Sequence, residues 1–281
     1  MQFSLTPFTE LRPGIWRAVA QPASVTIGLV VGSTGALVVD AGSSPDQGAE
    51  IRAAAAAVAG VPLVGAVVTH AHFDHYYGLA AFDDLTTYGH ESLLAALEAP
   101  QVAEETAGLG FAPDRLRPPN KPLALARLVD LGDRHVELVH FGRGHTAGDV
   151  VVIVPDARVI FTGDLLEQSA PPAMGPDCFL KEWPAALDGI LGLVREDTLL
   201  VPGHGEPVDR VFAFTQRAEI SAVYGQVDYL IGRGVQLEDA LAAGDWQFDD
   251  ETIAAVLPIA YAQLAAEGKV PRTQLRLLPG H

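Results

Sequence analysis

The chain reads as a layered α/β protein, and three observations carry that expectation. Short apolar runs rich in Val and Ile recur through the first three quarters of the sequence, helical patterns separate several of them, and turn signals join others directly as hairpins. Strands alternating with helices require crossover connections and a sheet covered by helices, so the elements must stack in layers. The 281 residues are 49% apolar and 19% charged, which suits one large domain, or one domain with an appendage, and excludes disorder.

In order, the strand-like runs are SVTIGLVV, GALVVDAG, LVGAVVTH, HVELVHFG, VVIVPDA, RVIFTGD and DTLLVPGH. Gly32-Ser33-Thr34-Gly35 separates the first two and signals a hairpin. Pro45-Asp46-Gln47 opens a helix over GAEIRAAAAAVAG, which Gly60 stops. HESLLAALEA (90–99) is the next helical pattern and ends at Pro100. Pro155-Asp156-Ala157-Arg158 turns between two later strands without a glycine. Trp183 to Val194 reads as an amphipathic helix.

From about residue 210 the texture becomes helical. Ile220, Val223, Tyr224, Val227 and Ile231 form one face, ended by Gly232 and Gly234. Asp249 or Asp250 caps a last helix carrying Ile253, Val256, Leu257 and Leu264, with a kink expected at Pro258. The division expected is a main domain over 1–210 and a helical extension over 211–281 packed on it. The extension's apolar stripes read first as core. Their second reading is a lid or a dimer contact, so a homodimer is the assembly to test for.

A net charge of −17 repels phosphate backbones and anionic lipid, so a small-molecule substrate is expected, with no nucleic acid and no membrane partner. The one cysteine, Cys178, excludes an internal disulfide. The opening residues MQFSLTPFTELRPGIW have no cationic leader or apolar core region, and no run of 18 apolar residues occurs. A cytoplasmic protein is the expectation.

The chemistry concentrates at strand ends, where loops converge in α/β sheets. His70, His72, His75, His145, His204, Asp74 and Asp164 all lie at or just past an apolar run. The densest piece is Thr69-His70-Ala71-His72-Phe73-Asp74-His75. At this composition, chance yields such an H-x-H-x-D-H pattern in about six chains in ten thousand. On an extended segment His70 and His72 share a face and Asp74 continues it, whereas His75 needs a turn to reach a second position. Neutral imidazole and carboxylate suit Zn²⁺, with iron and manganese as other fits. One isolated His is more often a surface or core residue. Several crowded together without a cation would repel and bury an unpartnered carboxylate.

This pattern resembles the metallo-β-lactamase superfamily. Gly142-Arg143-Gly144-His145-Thr146-Ala147-Gly148-Asp149, Phe161-Thr162-Gly163-Asp164, Pro202-Gly203-His204-Gly205 and Val38-Val39-Asp40-Ala41-Gly42 are similar to its later and earlier elements, in the same order. The resemblance implies a four-layer αββα sandwich with two metal ions at one edge. It assigns His70, His72 and His145 to the first ion, Asp74, His75 and His204 to the second, and Asp164 to both. Asp40 would orient a ligand, and Thr69 and Thr146 would brace the ligand loops, although an Asp or Thr beside a turn is also ordinary turn chemistry. Tyr76 and Tyr77 could donate to an oxyanion, and Phe179 and Trp183 could line a substrate pocket. Packing is the plainer reading of all four.

The chemistry implied is hydrolysis. Two cations sharing a water make hydroxide available, since a metal lowers water's pKa from 15.7 to about 7. That hydroxide attacks an ester-, thioester- or lactone-type carbonyl, and Asp74 shuttles a proton to the leaving group. Asp164 favours the glyoxalase II-like and lactonase-like branches over true β-lactamases, whose first two subclasses carry Cys at that position. Two departures from glyoxalase II stand out: Tyr76-Tyr77-Gly78 replaces its Gly-Gly, and Lys269, Arg272 and Arg276 are sparse for a glutathione site. The alternatives are a mononuclear iron persulfide dioxygenase, a β-lactamase, and a metal-binding protein without catalysis.

Overall fold

Consecutive residues of the apolar runs feed different cores, and this sets the architecture. The computed structural model describes residues 3–271. The first sheet contains β1 (Ser4–Leu5), β2 (Thr9–Arg12), β3 (Ile15–Gln21), β4 (Val25–Val31), β5 (Ala36–Val39), β6 (Leu63–Val67) and β7 (Thr86–Tyr88). The second contains β8 (Ala126–Asp130), β9 (His135–Val139), β10 (Val151–Val154), β11 (Val159–Glu167) and β12 (Leu199–His204). Among the described residues, the pairing of His204 with Val25 joins the two at β12 and β4.

In β10, Val152 and Val154 enter the core between the sheets, while Val151 and Ile153 enter a core against outer helices. In β5, Leu37 and Val39 face inward and Ala36 and Val38 face the other helical layer. Both faces of these strands are buried, so their sequences are continuously apolar rather than alternating. Three hydrophobic clusters between four layers make an αββα sandwich.

Over the first sheet lie α1 (Pro45–Ala59), α2 (Phe73–Tyr76), α3 (Leu93–Leu97) and α4 (Val102–Leu109). Helix α1 starts where Ser44 accepts from the Gln47 N–H, and ends at Gly60 with φ 66°. The helical pattern over 90–99 yields only α3, and α4 was not anticipated, because its exposed face is polar and its apolar stripe is short. The alternating β3 and the half-exposed β8 contain no continuous apolar run, so neither stands out in the sequence.

The second sheet is covered by α5 (Trp183–Leu191), α6 (Arg210–Gly232), α7 (Leu237–Ala243) and α8 (Asp250–Ala266). Ile220, Val223 and Val227 of α6 and Ile253 and Leu264 of α8 share one cluster with Leu187 of α5 and Leu200 of β12. The helices beyond residue 210 therefore build the fourth layer itself. Helix α8 continues past Pro258, which gives up one i→i−4 bond without ending the helix. Lys269 pairs with Asp228 at 2.8 Å, while Arg272 and Arg276 lie outside the described residues. Among the described residues no helix is long and apolar enough to cross a membrane.

Candidate metal centre

Parallel pairing of β5 with β6 and of β11 with β12, and the meeting of β12 with β4, bring several strand ends to one edge. Asp40 follows β5, the His70 loop follows β6, Asp164 sits in β11 and His204 ends β12. The His145 loop connects β9 to β10, and the Val150 N–H donates to Thr69 O at 2.7 Å, tying the two histidine loops together. Helix α2 supplies the turn that His75 needs: the His75 and Tyr76 N–H groups both donate to His72 O, swinging His75 away from His72.

Two groups of ligand atoms result, each within 4.8 Å: His70, His72, His145 and Asp164, and Asp74, His75 and His204. Asp164 lies between them. Its Oδ2 is 3.7 Å from His70 Nε2, 3.6 Å from His145 Nε2 and 3.5 Å from His204 Nε2, and its Oδ1 is 3.2 Å from His75 Nε2. Asp74 Oδ2 is 3.2 Å from His204 Nε2.

Hydrogen bonds on the far side of each ring decide which nitrogen faces the cluster. Asp40 Oδ1 accepts from Thr69 N at 2.7 Å, and Oδ2 accepts from Thr69 Oγ1 at 2.9 Å and from His75 Nδ1 at 2.8 Å. Since Thr69 Oγ1 donates to Asp40, it accepts from His70 Nδ1 at 3.0 Å. His145 Nδ1 donates to Ala173 O at 3.1 Å, and His72 Nε2 donates to Asp177 Oδ2 at 3.0 Å. The inward nitrogens then bear lone pairs. His72 Nδ1 is 3.1 Å from His70 Nε2 and 2.8 Å from His145 Nε2. Lone pairs converging without a proton between them repel, and a shared cation removes that repulsion. Asp164 Oδ1 is buried without a hydrogen-bond partner, although His75 Nε2 stands nearby. Buried carboxylate oxygens are rarely left so. The residues fit divalent metal.

The electrostatics divide the histidines: His70 and His145 are held neutral, whereas His72, His75 and His204 are pushed up by neighbouring carboxylates against the effect of burial, so an ion would have to displace protons there. Burial and the neighbouring His75 hold His70 well below the usual histidine range, and burial takes His145 down to about 4. Burial works against charge on His75 too, yet Asp164, Asp74 and Asp40 raise it well above the usual value. For His204 burial is likewise outweighed by hydrogen bonds to Asp164 and Asp74, which push it up to about 10. Burial opposes ionisation of Asp164, but His75 and His70 hold its carboxyl well below the carboxylate range.

Tyr76 and Tyr77 are buried, and their hydroxyls donate away from the cluster, to Leu93 O at 3.2 Å and to the Glu105 carboxylate. Trp183 is fully buried, donates Nε1 to Leu165 O at 3.1 Å and meets the His145 ring edge-on at 5.5 Å. These three pack in the interior, the plainer of the two readings their sequence offered. Phe179 lies under the Arg143 guanidinium at 4.2 Å.

Three carboxylates received no role in the sequence reading. Asp177 holds His72 from a loop with no local pattern. Asp149 accepts from Thr146 N at 3.0 Å and from Thr146 Oγ1 at 2.7 Å, closing the His145 turn, and burial pushes it up to about 7. Its three-residue spacing from Thr146 was a usable turn signal. Glu167 lies with Asp164 and His204 in a third ligand-type group.

The chain is 27% identical to metallo-beta-lactamase type 2 of Bacillus sp. (strain 170) over 146 residues, 51% of this chain and 52% of that protein. It thus spans about half the length of that relative. It is 28% identical to acyl-coenzyme A thioesterase MBLAC2 of Gallus gallus over 201 residues, 63% of this chain and 71% of that protein. Among solved structures, a metallo-beta-lactamase from Pontibacter korlensis superposes with a TM-score of 0.63 at 21% identity, covering 78% of this chain and 99% of that one, a likeness of fold. The profile of the metallo-beta-lactamase superfamily matches residues 20–207. That span is more than half of the chain and contains every ligand-type residue of the two groups, so the chain belongs to the metallo-beta-lactamase superfamily.

Proposed function

We propose that the protein is a dinuclear metal hydrolase acting on an ester-, thioester- or lactone-type carbonyl of a small molecule. One observation carries this reading: two groups of ligand atoms meet at buried Asp164, whose carboxylate oxygens lie 3.2 to 3.7 Å from Nε2 of His75, His204, His145 and His70. His70, His72 and His145 would hold the first ion, Asp74, His75 and His204 the second, and Asp164 both. The nitrogen and oxygen donors suit Zn²⁺. Two such ions supply a nucleophilic hydroxide near neutral pH and polarise the carbonyl oxygen.

The chain's own part is orientation and proton transfer. Asp40, Thr69, Asp177 and Ala173 O fix four imidazoles with their lone pairs inward. Asp74, beside His204, would carry the proton to the leaving group. The similarity to acyl-coenzyme A thioesterases supports a thioester or ester over a β-lactam, as does Asp164 in place of the cysteine that the resemblance implies for β-lactamases. The test is a panel of thioesters, lactones, β-lactams and phosphodiesters on zinc-loaded protein, paired with metal counting. Thioester, ester or lactone turnover with two ions per chain is expected. A single iron with oxygen uptake on persulfides, or turnover confined to β-lactams, would overturn the reading.

A further inference from the structure

Beside the ligand loops runs an apolar groove of about 440 Å³, lined by Pro22, Ala23, Phe73, Glu105, Gly108 and Leu109. Two of its walls belong to the metal edge. Phe73 stands between His72 and Asp74 at the start of α2. Pro22 and Ala23 form the β3–β4 turn, just before Val25, the register partner of His204. The opposite wall is α4. The groove therefore lies between a turn and a helix, with Phe73 the lining residue flanked in sequence by ligand-type residues of both groups.

Its chemistry selects a hydrocarbon. The one ionisable lining residue, Glu105, has its carboxylate engaged by the Tyr77 hydroxyl, and the rest of the lining is Pro, Ala, Phe, Gly and Leu. A polar occupant would lose water there without gaining partners, whereas an alkyl chain loses nothing. The volume lies within the usual range of small-molecule sites. Gly108 keeps the groove wide: a Cβ built there meets nothing within 4 Å, so a larger residue would fit the fold. Glycine is otherwise a poor choice inside a helix.

We propose that this groove receives the aliphatic acyl chain of the substrate, which makes the substrate a fatty-acyl ester or thioester; the proposal rests on the hydrolase reading above. In that reaction a water oxygen bonds to the acyl carbon, the carbon–sulfur or carbon–oxygen bond breaks, and the thiol or alcohol leaves with a proton, giving the fatty acid. The acyl tail along Phe73 would direct the carbonyl toward the ligand cluster.

The experiment compares acetyl through dodecanoyl thioesters on zinc-loaded wild type and Gly108→Leu, with calorimetric binding of decanoate to both. In the wild type kcat/KM should rise about two- to fourfold per added methylene before levelling. Gly108→Leu should leave acetyl turnover within twofold while lowering decanoyl turnover and decanoate affinity at least tenfold, with no fall in Tm. Turnover that ignores chain length, or a Gly108→Leu profile matching wild type, overturns the groove and leaves the hydrolase reading standing. No turnover of any acyl substrate with two ions bound overturns both.

Discussion

Asp40→Asn separates the carboxylate's charge and acceptor role from its shape. Asp40 has φ 63°, in the left-handed region that Asn enters as readily as Asp, so the backbone is not strained by the change. The new carbonyl can keep the bond from Thr69 N, now 2.7 Å, but the new NH₂ then faces two donors, Thr69 Oγ1 and His75 Nδ1. In the neutral ring that an ion would need, the local repair is to take the one His75 proton off Nδ1 and hold it on Nε2. That nitrogen lies 3.2 Å from Asp164 Oδ1, on the side where an ion would bind, and its lone pair is lost. Removing such an outer partner typically costs 10–100-fold in metal affinity, or about 1.4–2.7 kcal/mol. Chelator competition, with metal counting after dialysis, should show one ion retained and the second weakened, because His70, His72 and His145 keep their own outer bonds to Thr69, Asp177 and Ala173. Two ions per chain held within twofold of wild-type affinity would refute the argument.

Other changes probe different links. Gly203→Ala places a Cβ 1.8 Å from Asp164 Oδ1, so metal content and turnover should both collapse while circular dichroism stays native. Asp164→Ala and Asp74→Ala should likewise lose metal and most activity, and full turnover with stoichiometric metal in either would remove its assigned role. In metal-free protein His75 is held above the usual range and His204 at about 10, so both are protonated at pH 7, whereas His145 at about 4 is neutral. Zinc binding at pH 7 should then release about two protons, read by calorimetry in buffers of different ionisation heat, and affinity should weaken as pH falls. The stabilisation from His204 in metal-free protein should be full below pH 6.5 and disappear as pH rises through about 10, visible in urea midpoints. Trp183→Ala empties a fully buried site and should destabilise by about 3–5 kcal/mol in urea melts.

How much was legible follows from the range of each interaction. Strands buried on both faces announce themselves, because Val151 to Val154 must satisfy two cores at once. Strand β8, with Leu128 exposed, carries a weaker signal, as does the short stripe of α4. The ligand-type cluster was legible because His70, His72, Asp74 and His75 lie within six consecutive residues, where local spacing encodes a face. The polar supports are mixed: Asp149 is local to Thr146, but Asp177 meets His72 across 105 residues and has no pattern of its own. Tyr76 and Tyr77 looked available beside the ligands because their partners, Leu93 O and Glu105, come from helices whose placement no local rule supplies.

That division bears on the chemistry. A histidine in a sequence is a candidate ligand, but it binds through one nitrogen, and its outer neighbour chooses which. His70 and His145 turn Nε2 inward, because Thr69 Oγ1 and Ala173 O occupy Nδ1. His72 turns Nδ1 inward, because Asp177 occupies Nε2. The convergence within 4.8 Å is therefore a property of the outer hydrogen bonds as much as of the histidines. A chain that kept the H-x-H-x-D-H run but lost Asp40 and Asp177 would retain the motif and hold its ions more weakly.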